Sequence, residues 1–335
     1  GRPEGDYHQW KGDPANLPSR NYLPLEAVTY AEVLKELNYK TFFAGKWHLG
    51  HGEHNPAQQG FDKYVSGSTG GGSTRKYVQA VADGKVEDVY TTDLLTDSVV
   101  NYIRSYKSDQ PFLLQLSYWN VHTPTVGRKD LVAFYSERGL EEDEAEYAAQ
   151  VSSVDESVGR VLDAQNEKHF EDNTIVIFTS DQGSYFPNLP LRGTKAVGTA
   201  LYEGSARVPF LIKWPGVAKP GTQIEDHIST LDIFPTLMDI AGKDPENFNT
   251  LDGLSLTTLI RENQPLNRDF LFFYRAYDSQ YAAVLSKDGW KLVAYRGEKY
   301  ELYNIYDDIG EENDLAEKKP EQLNELVQEL KNWEK

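Results

Sequence analysis

The sequence contains no cysteine, which excludes disulfides, thiolate metal sites and a cysteine nucleophile within these 335 residues. Long hydrophobic runs are also missing, since the longest, within 174–179, is far short of the roughly 20 residues that span a bilayer. No segment resembling an export signal opens the chain, so we expect such a signal to be absent or already removed. We predict no insertion into a membrane.

Basic residues are also few. There are 34 lysines and arginines against 52 acidic residues, a net charge of −18. This excess of negative charge argues against nucleic acid as the main partner, because its phosphates would be repelled. An anionic small molecule would need a local cluster of cationic side chains.

The sequence does contain strand-length apolar runs that alternate with segments of helical periodicity, the pattern of an α/β fold with a largely parallel sheet. Helical spacing of apolar residues predicts helices within 24–37, 95–106, 147–161 and 231–238. The first is expected to begin at Pro24, a favoured first helical residue. Unbroken apolar runs, typical of strands buried on both faces, predict strands at 40–44, 111–118, 174–180 and 208–213.

Beyond about residue 262 the pattern changes to short aromatic runs. They predict antiparallel strands at 270–274, 281–285, 291–295 and 300–303, with turns at Asp288-Gly289 and Arg296-Gly297. Helical spacing from Leu323 to Trp333 predicts a closing helix. The sequence therefore predicts a catalytic domain over 1–262 and a smaller α+β subdomain over 263–335.

Polar residues follow three of the predicted strands. Lys46 and His48 come after the first, His122 after the second, and Asp181 and Gln182 after the third. Ligands of open α/β sheets bind beyond the carboxyl ends of the strands, so we expect these residues to converge at one edge. Carboxylate and amide oxygens suit calcium or magnesium rather than zinc, and a lysine near a histidine can hold an anion and move a proton. Each signal alone is explained as well, or better, by an ordinary turn or surface residue.

Five stretches, in this order, together resemble the motifs of type I sulfatases, members of the alkaline phosphatase superfamily. They are Gly45-Lys-Trp-His-Leu-Gly50, Val121-His-Thr-Pro124, Phe178-Thr-Ser-Asp-Gln-Gly183, Leu191-Arg-Gly-Thr-Lys195 and Tyr202-Glu-Gly-Ser-Ala-Arg-Val-Pro209. The resemblance covers essentially the whole chain. The first motif is highly specific, whereas the third is looser because asparagine is commoner where Gln182 stands.

The resemblance implies an alkaline-phosphatase-like α/β fold: a large mixed, mostly parallel sheet between helices, with a smaller C-terminal α+β subdomain. It implies a calcium or magnesium ion on Asp181 and Gln182, sulfate binding by Lys46 and Lys195, contact of His48 with the nucleophile, and action of His122 at the sulfate or leaving oxygen. Such a cluster would supply positive charge locally on an acidic protein.

The nucleophile of this family is a formylglycine made from Cys or Ser in a Cys/Ser-x-Pro-x-Arg segment. Gly1-Arg2 matches only the tail of such a segment, and Leu17-Pro18-Ser19-Arg20 lacks a nucleophile before its proline. We therefore expect the formylglycine and further metal-binding aspartates upstream of Gly1.

The leading hypothesis is an exported, periplasmic or secreted, sulfatase that acts on a carbohydrate sulfate ester. The alternatives are a phosphate or phosphonate ester hydrolase of the same superfamily, and a sulfatase-like protein that lost its nucleophile and only binds sulfated glycan.

Overall fold

The structure, a computed structural model, describes residues 22–66, 77–82, 85–196, 198–248, 251–275 and 278–335. These residues fall into two compact units, Asn21–Thr174 and Ile175–Lys335. The boundary predicted near residue 262 concerns a finer division within the second unit and stays a prediction. No helix in the described ranges is long and apolar enough to cross a membrane.

The first unit is an α/β structure. Its elements are α1 (Tyr30–Glu36), β1 (Lys40–Gly45), β2 (Lys63–Val65), β3 (Tyr77–Ala82), β4 (Lys85–Tyr90), α2 (Thr91–Ser105), β5 (Phe112–Ser117), α3 (Lys129–Ser136) and α4 (Glu142–Glu167). The sheet has the order β2-β1-β5, and both pairings are parallel, as predicted for this part of the chain. β3 and β4 form a separate antiparallel hairpin that sequence periodicity did not predict.

The central strand β1 is buried on both faces, which confirms the interpretation of its unbroken apolar run. Alternate side chains of a strand point to opposite faces. Phe42 and Ala44 pack against Leu95 of α2 on one face, while Phe43 packs with Phe61 on the other. The carboxyl end of β1 is thereby fixed in a rigid core.

The prediction that the first helix begins at Pro24 is wrong, because α1 begins at Tyr30. Thr29 and Glu32 form a capping box, in which Thr29 Oγ1 accepts from Glu32 N at 3.2 Å and Glu32 Oε2 accepts from Thr29 N at 2.7 Å. These bonds satisfy backbone donors at the start of the helix and define its first turn. Val28, an apolar residue inside the range predicted to be helical, lies before the helix and is 59% exposed.

The helix predicted at 147–161 exists as part of the longer α4, but its buried face differs from the prediction. The helical spacing of apolar residues that predicted this helix places Val151 on its buried face, but Val151 is 46% exposed. Small residues such as Ala145, Ala149 and Ser153 are buried instead. They allow α2 and α3 to pack closely on α4, so side-chain volume rather than hydrophobicity decides which face is covered.

The second unit contains the remaining elements. They are β6 (Val176–Thr179), α5 (Glu203–Ala206), β7 (Phe210–Lys213), α6 (Ile233–Ile240), α7 (Thr257–Glu262), β8 (Phe270–Tyr274), β9 (Gln280–Ser286), β10 (Trp290–Tyr295), β11 (Lys299–Asn304) and α8 (Pro320–Trp333). The last four strands form an antiparallel sheet in the order β11-β10-β9-β8, which confirms the prediction. Leu326 and Leu330 of α8 pack on this sheet against Leu292 and Leu302.

β6 and β7 pair antiparallel with each other and contribute an antiparallel component to the mixed α/β fold. The expectation that both strands are covered on both faces is wrong. Phe178 is 36% exposed and Leu211 is 58% exposed. An apolar run indicates that a strand can be buried, but only tertiary packing decides whether both of its faces are covered.

Candidate functional site

The end of β1 delivers Lys46 to the carboxyl edge of the parallel sheet. Gly45 pairs with Ser117, the last residue of β5, and Lys46 N donates to Ser117 O at 2.7 Å. Gly45 has a φ of +109°, and a Cβ there would lie 1.9 Å from Ser117 O. Only glycine permits this close approach, so the backbone itself requires glycine at position 45.

Lys46 and His122 occupy the same edge of the sheet. The half-buried Lys46 side chain places Nζ 5.6 Å from the centroid of the Trp119 ring, and Trp119 is only 6% exposed. His122 N donates to Trp119 O at 3.0 Å. A cation held against an aromatic face in a partly dry environment is available for an anion.

The exposed His48 lies in a loop that is anchored on both sides. Trp47 Nε1 donates to His54 O at 2.8 Å, and its ring lies edge-on to Phe43 at 5.3 Å. Gly50, with a φ of +121°, packs so closely that a Cβ would lie 2.6 Å from the Cβ of His54. The structure thus places Lys46 and His122 at the edge where the parallel strands β1 and β5 end, with His48 in the loop that follows β1. The expected convergence of Asp181 and Gln182 with these residues stays a prediction.

The hydrogen bond of the His122 ring determines which nitrogen can exchange a proton. His122 Nδ1 lies 2.6 Å from Thr123 O. A carbonyl oxygen can only accept, so Nδ1 carries the hydrogen in this arrangement. Nε2 is consequently the nitrogen that can take up or release a proton.

Asp181 and Gln182 follow β6 directly, in the second unit. The Asp181 side chain is exposed and that of Gln182 is half-buried. The next residue fixes their position, because Gly183 N donates to Ser205 O at 2.8 Å. A Cβ on Gly183 would lie 2.1 Å from Gly204 O, so this loop presses directly on the short helix α5.

The loop that carries Lys195 also contacts α5 and the Asp181 loop. Lys195 N donates to Ser184 O at 2.8 Å, and Gly204 N donates to Arg192 O at 2.7 Å. A Cβ on Gly204 would lie 2.2 Å from Gly193 O. The half-buried Lys195 places Nζ 5.7 Å from the Tyr185 ring centroid. The structure therefore brings the Lys195 loop to the loop of Asp181 and Gln182.

A buried ion cluster of Lys291, Glu203 and Glu311, which the sequence did not predict, holds α5 in place. Lys291 Nζ lies 2.8 Å from Glu203 Oε1 and 2.9 Å from Glu311 Oε1, and Lys291 is fully buried. Burial raises the pKa of Glu311, and the nearby Lys291 only partly offsets this effect. Burial acts in the same direction on Glu203, but Lys291 and Arg207 together outweigh it and hold the pKa of Glu203 below its ordinary value.

Arg192, from the same motif as Lys195, ties its loop to the C-terminal sheet. Its guanidinium donates to Tyr303 Oη at 2.8 Å and to Glu311 O at 2.7 Å, and it stacks 4.0 Å from the Tyr202 ring centroid. The motif residues Arg192 and Glu203 thus anchor the loops. The sequence contains one sign of this ion cluster. Lys291 lies inside the apolar run of β10, and a lysine buried there requires a partner of opposite charge.

The oxygen donors of Asp181 and Gln182 fit a hard divalent cation. Neither side chain hydrogen-bonds another side chain in the part of the chain that the structure describes. Within those ranges there is also no cluster of three or more His, Asp or Glu able to hold a metal. Calcium takes roughly 6–8 oxygen ligands, so the pair can supply only part of a coordination shell.

Two family models and two curated relatives that match this chain are all sulfatases or sulphohydrolases. The sequence model named Sulfatase matches residues 4–243, and the model of the C-terminal part of N-sulphoglucosamine sulphohydrolase matches residues 199–334. A sulfatase of Formosa agariphila is 34% identical over 270 residues, covering 70% of this chain and 47% of that protein. Human N-acetylgalactosamine-6-sulfatase is 28% identical over 309 residues, covering 81% and 57%, respectively.

Solved structures share the fold. The crystal structure of Ps i-CgsB in complex with k-i-k-neocarrahexaose superposes with a TM-score of 0.82 and 28% identity, covering 93% of this chain and 75% of that one. A sulfatase from Pseudoalteromonas sp., PsFucS1, has a TM-score of 0.73 at 20% identity, with 99% and 75% covered. The alkaline-phosphatase-like α/β fold with its C-terminal antiparallel sheet is thereby confirmed. The chain spans about half the length of the curated relatives named above.

Proposed function

Because the chain belongs to the sulfatase family, we propose that it forms part of a hydrolase that cleaves sulfate esters. The observation that carries the proposal is the placement of two lysines. Lys46 lies half-buried against Trp119, and Lys195 lies half-buried against Tyr185, in a protein of net charge −18. An acidic protein that retains such partly desolvated cations in motif loops is suited to bind a small anion.

The proposed roles follow from the chemistry of ester cleavage, which places growing negative charge on the leaving oxygen. Lys46 and Lys195 bind the sulfuryl oxygens and the bridging oxygen, and they stabilise that charge. His48 contacts the nucleophile. His122, when it is also protonated at Nε2, donates that proton to the leaving oxygen and returns to the neutral tautomer whose Nδ1 donates to Thr123 O.

Two groups outside this sequence complete the proposal. Asp181 and Gln182 would bind calcium or magnesium, which supplies Lewis acidity toward the sulfate, and a formylglycine upstream of Gly1 would supply the nucleophile. The orientation of the two metal ligands depends on Gly183, which is fixed against α5.

We further propose a sulfated carbohydrate as the substrate and an extracytoplasmic location. The support for the carbohydrate substrate is the activity in the name of the human relative, N-acetylgalactosamine-6-sulfatase, and the oligosaccharide bound to Ps i-CgsB. Nucleic acid is disfavoured by the charge of −18.

Parallel assays of the complete protein with aryl sulfate and aryl phosphate esters test the proposed reaction. We expect kcat/KM for the sulfate to exceed that for the phosphate by at least about 10²-fold, roughly 2.7 kcal/mol in transition-state binding. A preference for phosphate would establish the phosphoesterase alternative. Turnover of neither ester, together with retained binding of sulfated glycan, would establish the non-enzymatic one.

Calcium should stabilise the complete protein against thermal unfolding through Asp181. A site-bound ligand at about 100 times its Kd stabilises the folded state by roughly 2.7 kcal/mol. We expect Asp181→Asn to remove most of the calcium-dependent rise in Tm, while Asp307→Asn, at an exposed aspartate of the same unit, leaves it unchanged. An equal rise in both variants would show that Asp181 is not a calcium ligand.

A further inference from the structure

A cleft in the second unit lies between the C-terminal sheet and the segment before α6. It has a volume of about 290 Å³. Its lining includes Leu271 and Leu285 of the sheet, the acidic side chain of Glu225, and the paired rings of His227 and Tyr306. The volume lies just below the roughly 300–1,000 Å³ of sites for drug-sized molecules, so the cleft suits a ligand as small as a single sugar ring.

Tyr306 is an exposed aromatic residue that is nevertheless held in place. It is 57% exposed, but its hydroxyl donates to Lys287 O at 2.8 Å and lies 3.1 Å from His227 Nε2. Because that hydroxyl donates to a carbonyl, its oxygen accepts the hydrogen from His227. The two rings stack at 5.6 Å with an interplanar angle of 16°.

The turn beneath Tyr306 is shaped to receive its ring. Gly289 has a φ of +81°, and a Cβ there would lie 2.6 Å from a ring carbon of Tyr306. Glycine at this turn therefore lets the ring lie on the backbone. A ring that is fixed before binding loses little conformational entropy when a ligand stacks on it.

The charge of the cleft disfavours an anionic ligand. Four acidic side chains line it: Glu225, Asp226, Asp269 and Asp288. Its two basic side chains are already paired, Arg268 with the buried Asp232 and Lys287 with Asp269. Burial, with the nearby charge of Arg207, lowers the pKa of His227, so its surroundings disfavour the cationic form of the ring. A sulfate group would thus meet carboxylates without an unpaired cation.

The same features suit a neutral, polyhydroxylated ring. Carboxylates accept hydrogen bonds from hydroxyl groups, and an aromatic face accommodates the apolar C–H face of a sugar. No three acidic side chains in the described ranges are arranged to hold a metal ion. We propose that the cleft around Tyr306 is a second carbohydrate site, which binds an unsulfated sugar unit of a glycan chain.

Calorimetric titration of the complete protein with desulfated neocarrahexaose tests this proposal. We expect weak binding, with Kd on the order of 1 mM, since a small cleft must offset the entropic cost of association. Tyr306→Ala should raise Kd at least about 10-fold, and Glu225→Ala, which removes a hydrogen-bond acceptor, about 3-fold. Tyr64→Ala, at a tyrosine 42% exposed outside the cleft lining, should not change it.

The sulfated parent hexasaccharide separates this site from the proposed catalytic one. Lys195→Ala should weaken binding of the sulfated compound and leave binding of the desulfated compound intact, even if the protein proves to have no esterase activity. The proposal is overturned if Tyr306→Ala and Glu225→Ala bind the desulfated compound normally, or if the cleft binds only the sulfated one. Binding of spermidine but not of the neutral sugar would also overturn it, since that result assigns the cleft to a cation.

Discussion

Replacing Lys195 with alanine in the complete enzyme should lower kcat by on the order of 10²-fold or more, because a cation near the leaving oxygen stabilises charge that grows in the transition state. KM should change less. Lys195 is half-buried beside Tyr185, and its backbone is bonded to Ser184, so its ammonium is directed rather than freely solvated. Steady-state kinetics with an aryl sulfate ester measure the effect.

Two further variants sharpen the test of Lys195. Lys195→Arg should recover little activity, since a planar guanidinium does not replace a compact ammonium in a confined position. Lys219→Ala, at an exposed lysine of the same unit, should retain the wild-type kcat. A folded Lys195→Ala enzyme, verified by circular dichroism, with near-normal kcat would remove Lys195 from the site.

Replacing Lys291 with methionine should destabilise the protein by about 3–5 kcal/mol, the usual cost of leaving buried charges unpaired. Glu203 and Glu311 would both lose the ammonium that now lies 2.8 and 2.9 Å away. Lys287→Ala is the matched control, because it breaks an ion pair with Asp269 whose side chains are 62% and 65% exposed. Such exposed pairs contribute little to stability because water screens them, so this control should unfold close to wild type. Urea unfolding monitored by circular dichroism measures the free energy of unfolding of both variants.

The cause of the Lys291 effect can be tested by a second substitution and by pH. Adding Glu311→Gln removes one unpaired charge and should restore part of the loss, a non-additive result expected of direct contacts. The pKa of Glu311 is already raised by burial, and losing Lys291 raises it further. The deficit of Lys291→Met should therefore be complete at pH above this raised pKa and shrink as the pH falls toward the unfolded value near 4.3. A deficit independent of pH would assign the loss to packing.

The sequence was most informative where one local pattern determined one outcome. The aromatic runs and the turns at Asp288-Gly289 and Arg296-Gly297 predicted the C-terminal antiparallel sheet nearly to the residue, because strand alternation and left-handed turn positions are local properties. The continuous apolar runs of β1 and β5 predicted that both strands belong to a largely parallel sheet, and the structure pairs them in parallel.

The candidate site also combines features that local sequence patterns predict with features that depend on tertiary contacts. The sequence by itself determined which residue types stand after the strands, and therefore that Lys46 and His122 share a sheet edge. It did not reveal that Lys291 holds the helix on which the loops of Asp181 and Lys195 rest, because residues 203, 291 and 311 are far apart in the chain.

The local capping box sets the start of α1, whereas only the tertiary structure decided the exposed faces of β6 and β7 and the cleft around Tyr306. The common physical reason is that hydrophobicity and spacing describe what a segment can bury, whereas burial itself depends on which distant segment arrives to cover it. Lys291 shows the same dependence: its charge would exclude it from a core, and two glutamates from distant parts of the chain make its complete burial possible.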